Sequence, residues 1–220
     1  MSSSEWNEKY KTGEQLSVWP WSDLVSYVMR YATPAGSNWR VLELGCGAGA
    51  NIPFFRSHKA EYHAVDGSQH IVQRLCESFP EYRHQIKVSD FTESIPFEGP
   101  FDLVVDRAAV THNSRKAIQH ALALVHDKLK PGGTFIGIDW FSTEHSDFRY
   151  GSTYEDEYTK TNAEQGQFAG IGAVHFSDKA ELQYLFRGFR LEILEHKTIR
   201  QQLPDSDFVF ASWNLVARKG

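Results

Sequence analysis

At 220 residues, with 41% hydrophobic and 23% charged side chains, the chain suits one soluble core; it is too rich in apolar residues for a disordered tail. A formal charge of −5 and scattered lysines and arginines weigh against nucleic acid as partner; even the densest group, Arg74, Arg83, His84 and Lys87, is thin. No apolar run reaches the ~18 residues of a membrane span, the start MSSSEWNEKYKTGEQ lacks the pattern of a signal peptide, and Cys46 and Cys76 show neither a disulfide framework nor metal-ligand spacing. A single cytoplasmic, reduced domain spanning 1–220 is expected, with no membrane and no metal.

In chain order, residues 20–32 read as a helix carrying Leu24, Val25, Val28 and Met29 on one face. The run 39–44 (WRVLEL) is a buried strand that enters a glycine-rich turn and then a helix. A second strand, 61–65, ends at Asp66, and Ser68 caps a helix whose Ile71, Val72, Leu75, Cys76 and Phe79 recur at helical spacing. Strands follow at 85–89, running up to Asp90 and Phe91, and at 101–105, ending at Asp106. Asn113 or Ser114 opens a long helix that Pro131-Gly132-Gly133 stops, and 134–140 (TFIGIDW) is the fifth strand. A long polar connection fills 142–177. A helix over 178–187 and two strands near 189–198 and 208–217 complete the pattern. Alternating strands and helices predict a doubly wound α/β fold with a mostly parallel sheet. The final connection, around Gln201 to Asp207, is too short for a crossover, so the closing pair is an antiparallel hairpin.

The chemistry centres on VLELGCGAGA. Gly45, Gly47 and Gly49 sit where a strand turns into a helix; glycine permits positive φ there and lets a ligand approach the backbone. GCGAGA also satisfies the G-x-G-x-x-A form of the dinucleotide fingerprint, and Asp66 follows at about the 20-residue spacing of a ribose-binding acid. Asp66 therefore suits any ribose-bearing cofactor. Glu43, two residues before the first glycine, is misplaced for a pyrophosphate and suited to a ligand end bearing an ammonium.

The segments VLELGCGAG, AVDGS, VSDF, FDLVVDRA and LKPGGTFIGIDW resemble, in order and spacing, the successive motifs of class I S-adenosylmethionine-dependent methyltransferases. The resemblance covers roughly 39–140 with specific motifs and extends to the C-terminus by element order. It implies a Rossmann-like seven-stranded fold, S-adenosylmethionine as cofactor and S-adenosylhomocysteine as product. By the same resemblance, Gly45, Cys46, Gly47 and Gly49 would hold the methionine part, aided by Glu43. Asp66, with Gly67 and Ser68 beside it, would take the ribose hydroxyls, and Asp90 and Phe91 the adenine. Asp106 and Arg107, at the end of strand four, would lie near the methionine ammonium.

The acceptor belongs over the ends of strands four and five, by the crevice rule for open α/β sheets. Strand four ends in DRAAVTHN rather than the [DN]-P-P-[YF] pattern of methyltransferases acting on base amino groups, a second argument against a nucleic-acid substrate. His112, Asp139, His145 and His175 are the candidates for binding the acceptor or taking its proton. The 142–177 connection, far longer than the roughly 2–6 residues an α/β unit needs, reads as an acceptor lid. Its Tyr150, Tyr154, Glu155, Asp156, Glu157, Tyr158 and Phe168 would suit an amine or a sugar. Residues 1–35, with the WNEKY segment and Trp19-Pro20-Trp21, read as a cap over the cofactor. The expected activity is methyl transfer to an amine or hydroxyl of a small molecule. The alternatives are a protein or RNA methyltransferase, with a flat groove, and a non-catalytic cofactor-binding domain. Oligomeric state is not legible in the sequence.

Overall fold

The computed structural model describes residues 3–11, 13, 16–33 and 38–220, with side chains from Trp6 onward; the rest of the expected 1–35 cap lies outside the described residues. Two helices, α1 (Ser3–Lys11) and α2 (Ser22–Tyr31), precede β1 (Arg40–Leu44). Then come α3 (Ile52–Ser57), β2 (Glu61–Asp66), α4 (Gln69–Ser78), β3 (Ile86–Val88), β4 (Phe101–Arg107), α5 (Arg115–Lys128) and β5 (Leu129–Phe141). The chain continues through β6 (Ser152–Tyr154), β7 (Asp156–Thr161), β8 (Val174–His175), α6 (Lys179–Leu185), β9 (Arg190–Arg200) and β10 (Val209–Arg218).

Seven strands form one sheet in the order β3-β2-β1-β4-β5-β10-β9. The pairs β2–β3, β1–β2, β1–β4 and β4–β5 are parallel, and β10 runs antiparallel to both its neighbours. The expected doubly wound sheet with a terminal antiparallel hairpin is what forms. Its two faces separate by strand alternation. Val41, Leu103 and Val105 pack with Leu24, Val28, Phe55 and Ile71 on the side of α2, α3 and α4. Leu42, Leu44 and Val104 pack with Ile118, Leu122, Val125 and Phe186 on the side of α5 and α6. Ser68 caps α4 as expected, accepting from the Ile71 amide at 3.3 Å, and Asp178 caps α6 through the Glu181 amide at 2.7 Å. Ser114 occupies the N-cap of α5 without a side-chain bond.

Two segments differ from the sequence reading. Strand β5 begins at Leu129, ahead of Pro131-Gly132-Gly133, because Leu129 pairs with Phe101 across an irregularity and Gly132 and Gly133 exchange backbone bonds with Lys219. The long polar connection at 142–177, expected without strands of its own, builds a small antiparallel sheet, β6-β7-β8. Its strands have 3, 6 and 2 residues, too few to show a period in the sequence. Phe168, Ile171, Val174 and Phe176 instead form a third apolar cluster with Ala108 and Phe141. Among the described residues no helix is long and apolar enough to cross a membrane.

The turn after β1 is set by close packing. Gly49 has φ +78°, and a Cβ there would come within 2.6 Å of Leu75 and 2.8 Å of Ile52, both buried. Gly49→Ala combines a left-handed backbone with overpacking and should destabilise the fold by about 2–3 kcal/mol. Thermal denaturation should show a midpoint lower by roughly 4–10 °C, and an unchanged midpoint would show that the turn can relax.

Candidate active site

The parallel strands end at one edge, and a cavity of about 440 Å³ opens there. Its floor is the β1–α3 turn. Gly45, at φ +62°, must be glycine because a Cβ would lie 2.2 Å from the Ala109 Cβ in the turn after β4. At the end of β2, Asp66 accepts from the Gly47 amide and the Ser68 amide, both at 2.9 Å, which fixes the glycine turn against the start of α4. Asp90 accepts from the Thr92 amide at 2.9 Å and the Thr92 hydroxyl at 2.6 Å and lines the cavity beside Phe91.

Glu43 is buried within this floor. Its Oε2 accepts from the Tyr62 hydroxyl at 2.6 Å and its Oε1 from the Asn51 amide group at 2.8 Å. Asp106, wholly buried, accepts from the Ala109 and Val110 amides, both at 3.0 Å, and so caps the turn after β4. None of the ion pairs among the described residues involves Glu43, Asp66 or Asp106. Burial pushes Glu43 up to about 7, against the hydrogen bonds from Tyr62 and Asn51 and with the help of the Asp106 and Asp66 charges. Burial likewise raises Asp106 to about 7, and Asp66 is raised by the same cause. Glu43, Asp66 and Asp106 are thus held out of water with no cationic side chain paired to them, and of the three Glu43 and Asp66 line the cavity.

Opposite the floor, α1 lies across the opening. Asn7 accepts from the Ser68 hydroxyl at 2.7 Å and the His70 amide at 3.3 Å, and the buried Tyr10 and Trp6 line the cavity. Trp21 also lines it, while Trp19 is 76% exposed and does not. Beyond the glycine turn stand Arg107, His112, Asp139, Phe141, Gln167, Phe168, Ile171 and Phe210. Arg107 lies 3.6 Å from the Trp21 ring centroid and donates to Asp139 at 3.1 Å. Asp139 also accepts from the Ser212 hydroxyl at 2.9 Å and pairs with Lys197 at 2.5 Å. Ile138 and Asp139 oppose the single residue Asn214 in a β-bulge; Asp139 takes φ +56° and its amide donates to the Asn214 side chain at 3.0 Å. A bulge re-aims a side chain, and here it turns a strand residue into the cavity.

Of the expected residues, Glu43, Gly45, Cys46, Gly47, Asp66, Gly67, Ser68, Asp90, Phe91, Arg107, His112 and Asp139 line one cavity. Four do not. Gly49 serves the contact between α3 and α4, and Asp106 lies behind the wall as a turn cap. His145 points into the third apolar cluster and accepts from the Asp147 amide at 3.0 Å. His175 is fully buried between Thr159, at 2.9 Å, and Glu181, at 3.5 Å, where it ties the small sheet to α6. These two histidines are structural residues of the insertion. The Tyr150–Tyr158 run also stays off the cavity, with Glu155 and Glu157 exposed. Sequence reasoning missed Asn51, Tyr62 and Lys197. Asn51 looks like a plain cap before IPFF, yet it makes no cap bond and turns to Glu43. Lys197 lies far along the chain and carries no motif.

A doubly wound sheet of this order with a cavity at its carboxyl edge is a Rossmann-like fold. Residues 41–133 match the family described as Methyltransferase domain, which is a little under half of the chain. An uncharacterized methyltransferase from Synechocystis sp. is 32% identical over 101 residues, which are 46% of each protein, so the match spans about half of that relative. The fold is shared with a SAM-dependent methyltransferase from Methanosarcina mazei (18% identity, 91% of this chain and 98% of that one, TM-score 0.67). It is also shared with the 1,6-didemethyltoxoflavin-N1-methyltransferase of Burkholderia thailandensis, solved with its substrate and S-adenosylhomocysteine (18% identity, 99% and 86%, TM-score 0.68).

The residues present fit this cofactor. A backbone cradle at Gly45–Gly47, a ribose-height acid and uncompensated buried carboxylates suit a ligand with an ammonium and a sulfonium, and oppose a pyrophosphate. A folded-state pKa near 7 means that Glu43 adds to stability below its unfolded value near 4.5 and that this contribution is lost as pH rises through 7. A bound cation favours the ionised form. Affinity for S-adenosylhomocysteine should therefore fall about ten- to thirtyfold between pH 8 and 5.5, with its midpoint near 7. Calorimetry across that range checks it; Glu43→Gln should flatten the profile, and a wild-type profile already flat would remove Glu43 from the linkage.

Proposed function

We propose that the protein is an S-adenosylmethionine-dependent methyltransferase whose acceptor is a small molecule. The observation that carries this reading is one cavity with two chemically distinct halves: an acid-lined glycine turn and, facing it, a chamber of aromatic side chains. Bound S-adenosylmethionine supplies an electrophilic methyl group on a sulfonium. The Gly45–Gly47 turn and Glu43 would hold its methionine end, Asp66 its ribose, and Asp90 with Phe91 its adenine. Helix α1 and the 142–177 insertion would exclude water from the chamber, which favours an in-line displacement between positioned partners. A recessed, partly open chamber with walls supplied by Trp6 and Phe168 suits a small acceptor better than the flat groove needed for a protein or RNA strand. The cytoplasmic setting expected from the sequence belongs to the same reading.

Asp139 acts here through Arg107 rather than as a base. Its carboxylate is already shared by Arg107, Lys197 and Ser212, so its role is to hold the guanidinium against Trp21. His112 is neutral at physiological pH, since burial and the Arg107 charge lower it to about 4. A neutral imidazole offers one donor and one acceptor to a ligand.

S-adenosylhomocysteine should bind and NADH should not. Asp66→Ala, which removes charge-assisted bonds of about 1.5–3 kcal/mol, should weaken S-adenosylhomocysteine roughly ten- to a hundredfold by calorimetry. Preference for NADH would overturn the reading, and unchanged affinity in a folded mutant would reduce Asp66 to a turn residue. On the other half, His112→Ala should lower turnover and leave S-adenosylhomocysteine affinity within about twofold, because contacts made in the transition state do not hold the cofactor in the ground state. Equal loss of both would show that the halves are not separate.

A further inference from the structure

The chamber beyond the glycine turn is walled by rings. His112 meets Trp6 edge-on at 5.0 Å and Phe141 at 5.7 Å between centroids, Phe141 meets Phe168 at 4.5 Å, and Ile171 and Phe210 complete the lining. Edge-to-face packing of this kind fixes ring planes, and it leaves flat apolar surfaces as the walls. The charges on this side are settled among themselves. Asp139, the one carboxylate of the chamber among the described residues, is shared by Arg107, Lys197 and Ser212. A cationic amine would find no free carboxylate here. A sugar would find few hydrogen-bonding groups, because the tyrosines and acids of 150–158 do not line the cavity. Two polar atoms of this lining are left over: Arg107 Nε and His112 Nδ1 are both buried with no hydrogen-bond partner in the folded chain, and His112 is 8% exposed.

We propose that the acceptor is a planar aromatic or heteroaromatic molecule, methylated at an acidic ring N–H or a phenolic O–H and oriented by His112. The proposal deepens the methyltransferase reading and rests on it. Flat rings bury large apolar area against aromatic walls at little cost in conformational entropy. His112 is a weak base, with its pKa lowered by burial, so the reacting group must be one that ionises near neutral pH without its help. The acceptor proton is lost to solvent, the ring nitrogen or oxygen forms its bond to the methyl carbon with its own electron pair, and the carbon–sulfur bond breaks with its pair remaining on sulfur. His112 positions the ring and takes no net proton. Phe168, on the insertion, and Trp6, on α1, close the chamber from opposite elements, so these two walls come from segments outside the matched region 41–133, while His112 lies within it.

The test uses the full chain saturated with S-adenosylhomocysteine and four probes: 7-hydroxycoumarin and xanthine as planar acids, putrescine and glucosamine as aliphatic amine and sugar. Calorimetry should find the planar probes binding with dissociation constants below about 1 mM and the aliphatic ones not binding. Phe168→Ala should weaken the planar probes at least tenfold. Phe168→Leu, which keeps apolar bulk without the ring, should weaken them by a smaller factor, and both variants should keep wild-type S-adenosylhomocysteine affinity. Tighter binding of putrescine or glucosamine, or binding of none of the four, overturns the substrate class while the cofactor titration stands. Failure of S-adenosylhomocysteine to bind the wild-type chain overturns both this proposal and the reading beneath it.

Discussion

The site depends on the two amide bonds that Asp66 accepts. Through Gly47 it pins the turn leaving β1, and through Ser68 it pins the turn leaving β2, so two adjacent parallel strands end in one rigid edge. Two backbone donors offset part of the cost of holding a carboxylate out of water, burial still raising Asp66, and the same bonds aim the acid at the cavity. Ser68 extends the joint outward, because its hydroxyl bonds to Asn7 and fastens α1 over the opening. Floor and cover thus share one anchor.

The electrostatic arrangement follows from that geometry. Glu43, Asp66 and Asp106 stand at the ends of three neighbouring strands, β1, β2 and β4, each held by neutral donors and none by a lysine or arginine among the described residues, with Asp106 Oδ2 left unpartnered. Neutral donors hold a carboxylate in place without cancelling its charge. Across the cavity the pattern inverts: Asp139 is neutralised by two cations, and the walls are rings. Charge on one side and apolar surface on the other give the cavity a polarity that orders which end of a ligand enters where.

The fold was legible in the sequence because its information is local. Strand runs such as VLEL, the Ser68 cap, the α5 periodicity and the short final connection each report on the segment that contains them. The glycine turn and the acids ending β1 and β2 were legible for the same reason. The aromatic side of the cavity was not, because it is assembled from distant segments. Trp6 and His112 are brought edge to edge by α1 folding back over the sheet, and Lys197 reaches Asp139 only because β10 lies between β5 and β9. Histidines 145 and 175 misled because a histidine beside a strand end looks the same in sequence whether it faces a cavity or a core. The positive φ of Asp139 is set by a bulge that depends on its pairing partner, which no local pattern encodes.

The place of β10 has a consequence for how the chain assembles. Until β10 forms, β5 has an unpaired edge along its whole length, and β9 has nothing to join. Both are long strands, and an open, apolar edge of that kind is a template for pairing with another molecule. On a ribosome the strand that closes the gap emerges after every other element of the sheet, so nascent chains pass through a stage in which the wall bearing Asp139 is open to solvent and to one another. Slow, long-range closure of this sort marks the segment between β5 and β10 as the one where folding and aggregation compete, and where a chaperone holding nascent chains would find exposed backbone.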